Sequence, residues 1–77
     1  MEEDFTIYPN PSNGSFNLIM KYDGIYSVYG LGGNIIISET LVGAGNNEII
    51  LPDNVKGVFI VKVVSDDRVF NQKIIVR

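Results

Sequence analysis

The groups in this 77-residue chain that could carry out chemistry are nine carboxylates, because the sequence contains no histidine and no cysteine. That absence removes Ser-His and Cys-His nucleophile pairs, imidazole proton transfer near neutral pH, and most zinc and copper sites. Two acidic pairs are left to weigh, Asp66 with Asp67 and Asp53 with Glu48. Neighbouring strand residues point to opposite faces and an Asp-Asp step at a hairpin tip is solvated, so neither pair reads as a tuned acid and base. Asp66, Asp67 or Asp53 with Asn54 could offer oxygens to calcium, yet the spaced ligand series of a calcium loop is missing. Gly30-Leu31-Gly32-Gly33 lacks the third glycine of a dinucleotide fingerprint and no helix follows it, so it reads as a turn. Asn13-Gly14-Ser15 fits a glycosylation triplet, but a tight Asn-Gly turn accounts for it. Tyr8, Tyr22, Tyr26 and Tyr29 could form a sugar-stacking platform, although Tyr26 runs in phase with Val28 toward a core and Tyr29 projects the other way. No catalytic residue, metal ligand or cofactor is assigned.

Composition points to a non-catalytic globular domain. A 45% hydrophobic content with 19% charged residues is enough for a core, and argues against disorder. Seventy-seven residues make one domain near the lower limit for a core without staples, and with no cysteine it must rely on apolar packing or a partner. Six basic residues among nine acids, net charge −3, give no phosphate-neutralising stripe, so nucleic acid is not an expected partner. No apolar run approaches the roughly 20 residues that a transmembrane helix needs. Met1-Glu2-Glu3-Asp4 is acidic where a secretory signal would be basic. Residues 1–4 read as a linker or an expression remnant.

The elements that must position these residues are strands. β-branched and aromatic residues alternate with polar ones, and turn signals recur every eight to twelve residues or so. Strands are expected at 5–8, 15–20, 25–29, 34–41, 47–51, 58–65 and 68–76. Seven short strands with no βαβ pattern read as an all-β, Ig-like antiparallel β-sandwich. Pro9 and Pro11 lack N–H donors and end the first strand's pairing, while Asn13-Gly14 supplies a positive φ, as Asp23-Gly24 is expected to do. Gly30, Gly32 and Gly33 mark one further reversal, and Gly43 and Gly45 with Asn46-Asn47 mark another.

The terminal hairpin is the most sharply specified piece. With Asp66-Asp67 as a two-residue loop, Ser65 faces Arg68, Val63 faces Phe70, Val61 faces Gln72 and Phe59 faces Ile74. The large apolar residues of both strands then share one face, a match that a one-residue slip would destroy. Asp-Asp is a poorer hairpin turn than Asp-Gly, which leaves a three- or four-residue loop open as an alternative. Lys73, Ile75 and Arg77 fall on the opposite face with Val69 and Asn71. Charges there could simply protect a terminal strand from aggregation.

Read in order, Tyr8-Pro9-Asn10-Pro11-Ser12-Asn13-Gly14, Tyr26-Ser27-Val28-Tyr29-Gly30-Leu31-Gly32-Gly33, Asn47-Glu48-Ile49-Ile50-Leu51-Pro52, Gly57-Val58-Phe59-Ile60-Val61-Lys62-Val63 and Gln72-Lys73-Ile74-Ile75-Val76-Arg77 resemble the C-terminal sorting domain of the type IX (Por) secretion system. The resemblance implies a non-enzymatic signal carried behind a passenger, recognised by the translocon and its outer-membrane shuttle. A cysteine-protease sortase would then cut at or upstream of residues 1–5, linking the passenger to anionic lipopolysaccharide or releasing it. Transit would run through the periplasm to the cell surface or the extracellular space. A secretory signal peptide would belong to the far end of the longer precursor, of which this chain is the tail.

By the same resemblance Lys73, Ile74, Ile75, Val76 and Arg77 carry recognition. Pro9, Asn10, Pro11, Asn13, Gly14, Gly33 and Gly57 shape the turns, Gly57 setting the terminal hairpin. Gly30 departs from a position that is usually polar and often Asn-like in the family, which implies a looser loop. The alternative reading is an Ig-like structural, adhesive or glycan-binding accessory module of a larger surface enzyme.

Overall fold

The computed structural model describes residues 5–77, so the proposed linker at 1–4 lies outside the described residues. Seven strands form: β1 (Phe5–Tyr8), β2 (Ser15–Met20), β3 (Gly24–Gly30), β4 (Ile35–Val42), β5 (Gly45–Ile50), β6 (Gly57–Ser65) and β7 (Arg68–Val76). Every strand pair is antiparallel, and the strands sort into a three-stranded sheet, β1-β2-β5, and a four-stranded sheet, β4-β3-β6-β7. There is no helix among the described residues. This is the expected sandwich, with β4 lying beside β3 in the second sheet, as the extra strand of variable-type Ig domains does.

Period-2 alternation builds the core. Phe5 and Ile7 of β1 stand opposite Met20 and Leu18 of β2, and Phe16 stands opposite Ile49 of β5; all six are buried. From the other sheet Tyr26, Val28, Phe59, Val61, Val63, Ile74 and Val76 meet them. Burying each such side chain stabilises the fold by roughly 1.5–3 kcal/mol. The terminal hairpin takes the register expected for a two-residue Asp66-Asp67 loop, from Ser65↔Arg68 through Phe59↔Ile74. Asp66 supplies the unusual backbone there, with φ of 58°.

Several local expectations need correction. Asp23-Gly24 is not a positive-φ turn: Gly24 opens β3 opposite Val42, and a Cβ at this position would lie 2.5 Å from the Val64 carbonyl oxygen. Close backbone approach, not turn geometry, demands glycine there. Gly45 and Asn46-Asn47 are not a reversal either, since they pair with Met20, Ile19 and Leu18 as the first half of β5. The chain instead crosses between sheets in the step Gly43-Ala44, where the Ala44 N–H donates to Asp23 Oδ1 at 2.9 Å and Asn47 Nδ2 donates to the Gly43 carbonyl at 2.8 Å. The loop after Gly30 is tied, not loose. Gly30 N–H donates to the Asn34 carbonyl at 2.8 Å and Gly33 N–H to the Gly30 carbonyl at 3.0 Å, with the Asn34 amide packed where a Gly30 Cβ would stand.

Candidate functional site

The residues with chemical potential do not assemble. Among the described residues no three His, Cys, Asp or Glu side chains are grouped to hold a metal ion. Asp66 and Asp67 sit exposed at the β6–β7 tip, Asp53 is in an exposed connection, and Glu48 is on the outside of the other sheet. The tyrosines are dispersed too: Tyr8 lies on the outside of β1, Tyr26 is in the core, and Tyr29 is outside β3, where its hydroxyl accepts from Ser27 Oγ at 3.1 Å. Burial pushes the Tyr26 phenol above its ordinary pKa, against a smaller lowering by its hydrogen bond with Thr40. No helix of the described residues is long and apolar enough to cross a membrane.

What the fold does bring together is the two ends of the sequence. Pairing of β1 stops at Tyr8, before two prolines that cannot donate. The chain then leaves the three-stranded sheet and lies along the free edge of β7. Asn10 imitates a strand with its side chain, accepting from the Ile75 N–H at 3.0 Å and donating from Nδ2 to the Lys73 carbonyl at 3.1 Å. Ser12 continues with its backbone in a parallel bridge to Val76, its N–H donating to the Ile75 carbonyl and its carbonyl accepting from the Arg77 N–H, both at 2.9 Å. Residues 9–12 are thus a strap over an edge that would otherwise invite pairing with another chain. Asn13 is exposed, and Gly14, with φ of 111°, turns the chain into β2. The strap buries the Ser12 hydroxyl without a hydrogen-bond partner among the described residues.

The strap decides what the end of β7 can offer. Its backbone between Lys73 and Arg77 is engaged by β6 on one side and the strap on the other, leaving side chains as its vocabulary. Ile74 (2% exposed) and Val76 (3%) belong to the core, while Lys73, Ile75 and Arg77 project outward. Gly57, with φ of 120°, opens β6 opposite Val76 and so aligns the hairpin. Gly33 closes the β3–β4 loop with φ of 90°.

The outward row of β7 is one margin of a wider surface. Cross-strand register places Leu41, Ile25, Val64 and Val69 in one row on the outer face of the four-stranded sheet. A second row holds Ile35, Tyr29, Ile60 and Lys73, and Val58 stands opposite Ile75 beyond it. Between these two mainly apolar rows run Ser27, Lys62 and Asn71. Several of these side chains are strongly exposed, Leu41 at 81%, Ile35 at 64% and Val69 at 56%. Sequence reasoning found only the β7 margin. The signal for the rest is β6 itself, whose Val58-Phe59-Ile60-Val61 and Val63-Val64 are apolar at consecutive positions, the pattern of a strand meant to be covered on both faces.

The family model of the secretion system C-terminal sorting domain matches residues 6–77, from β1 to the last residue beyond β7. No curated protein sequence matches the chain. The segments that meet physically at the strap, residues 9–12 and the end of β7, both lie inside that match. The chain therefore belongs to the C-terminal sorting domains of the type IX secretion system, signals for export to the cell surface or the extracellular space.

Proposed function

We propose that this chain is a non-enzymatic address label, carried at the end of a precursor and read through side chains on the outward face of β7. Lys73, Ile75 and Arg77 would make the direct contacts, and Ile74 and Val76 would hold them in register from the core. In this reading the domain engages the type IX translocon and its outer-membrane shuttle after passage through the periplasm. A sortase then separates it from the passenger near residues 1–5, of which 1–4 lie outside the described residues. The passenger is either joined to anionic lipopolysaccharide or released. The observation that carries the reading is the family match over residues 6–77. The separation of β7 into a buried and an exposed set of side chains supports it.

The test places residues 1–77 behind a fluorescent protein bearing a signal peptide, in a host with type IX machinery, and compares them with the Lys73→Gln, Arg77→Gln double variant. Both substitutions are at exposed positions and should shift stability by about 0.5 kcal/mol or less. The wild-type tail is expected to carry the cargo out, and the double variant to accumulate as uncleaved periplasmic precursor with unchanged melting. Efficient export of the folded double variant would remove these cations from recognition.

A further inference from the structure

Two features of the four-stranded sheet's outer face go beyond the last strand. The first is its apolar excess: two rows of mainly aliphatic side chains face outward where an antiparallel sheet with one solvated side normally alternates to polar residues. The second is its charge. Lys62 lies between the rows and Lys73 lies diagonally across the β6–β7 pair, at a separation of roughly 7–8 Å. The registered positions of the face include no carboxylate, and Glu39 falls in the register shift of edge strand β4. Among the described residues neither lysine has an ion-pair partner.

We infer that this whole face, and not β7 alone, is a docking surface for a protein of the export route that presents carboxylates framed by apolar side chains. The inference rests on the sorting reading above and extends its contact surface from β7 to β3, β4 and β6. Carboxylates of the partner meet Lys62 and Lys73, and its apolar side chains cover the flanking rows. A desolvated ammonium between aliphatic neighbours rejects a partner without an acid there, which makes Lys62 the specificity element.

A second copy of the chain does not fit this face. Face-to-face pairing of two copies would bring four ammonium groups together, Lys62 and Lys73 of each. An anionic bilayer fits no better, because lipid-binding clusters gather about 4–8 cations. This face offers three, Lys62, Lys73 and Arg77, on a domain of net charge −3.

The test uses the same fluorescent fusion with Lys62→Glu, with Leu41→Ser plus Val69→Ser, and with Glu48→Lys plus Ile50→Ser on the outer face of the other sheet. Each isolated 77-residue variant is checked by thermal melting. Both variants of the four-stranded face are expected to melt like wild type and to raise periplasmic precursor at least about tenfold, the effect of losing one interface hot spot. The variant of the other face is expected to export normally. Normal export of folded Lys62→Glu and Leu41→Ser, Val69→Ser fusions would overturn the docking face while leaving the sorting reading intact. A wild-type fusion retained in the periplasm would overturn both. Sedimentation showing a dimer that Leu41→Ser abolishes would assign the face to a second copy. Co-sedimentation with phosphatidylglycerol vesicles that Lys62→Glu abolishes would assign it to a bilayer. Either result would overturn the proposal, and neither is expected.

Discussion

The two outer faces of the sandwich are built from the same kind of strand and differ in what they show to solvent. On the three-stranded sheet every cross-strand row is mixed: Thr6, Ile19 and Asn46 in one, Tyr8, Asn17 and Glu48 in the next, Ser15 with Ile50 in the third. On the four-stranded sheet one row is aliphatic throughout, a second is apolar except for Lys73 at its β7 end, and Lys62 lies between them. Both faces share one core and one strap, so the fold does not require the difference. A surface that only has to be soluble mixes its residues as the first does. Segregation into apolar rows around a cation is what a partner surface needs.

The largest difference between neighbouring positions is expected on β7, between its buried and its exposed side chains. Ile74→Ala removes a fully buried side chain shared by both sheets and is expected to cost about 2–5 kcal/mol, whereas Ile75→Ala, one residue on and facing out, should cost about 0.5 kcal/mol or less. Chemical denaturation of the two variants checks this. Equal losses would mean that β7 is not divided between core and surface as described.

Next in size is the strap. Asn10→Ala deletes both side-chain bonds to β7 without touching either outer face, and is expected to lower stability by about 1–2 kcal/mol. Hydrogen exchange should show the Ile75 amide losing protection while the Val61 amide keeps it. Unchanged Ile75 protection would show that the prolines and the Ser12 bridge hold the segment in place without Asn10. This variant sharpens the comparison, because it separates the order of β7 from the chemistry of the face it borders.

Much of this was legible in the residues. The bounds of β1, β2 and β7 and the register of the terminal hairpin follow from alternation, because only one pairing puts Phe59, Val61 and Val63 on the core side with Ile74. The strap was not legible: Asn10 reaches a strand 65 residues away through its side chain, and no local pattern encodes that. Gly24 was misread because a glycine required for close approach to Val64 looks, in sequence, like one required for a turn. Half of the candidate surface was visible as the alternation of Lys73, Ile75 and Arg77. The other half depended on which strands flank β6, and long-range register supplies that.

The smallest expected effect on stability belongs to the outer faces themselves. Leu41→Ser with Val69→Ser, and separately Ile50→Ser, should each move the melting temperature little, since these side chains are already exposed. A large loss from the first pair would mean that the segregated rows serve the fold and not a partner.

Site-specific photocrosslinking during export tests directly whether the four-stranded face meets a partner. A photoreactive side chain is placed at Val69 on the four-stranded face or at Ile50 on the three-stranded face of the same signal-bearing fusion. From Val69 a covalent adduct with a component of the type IX machinery is expected, lost when Lys62→Glu is added, and from Ile50 no adduct above background. Equal adducts from both positions, or an adduct from Ile50 alone, would contradict this expectation.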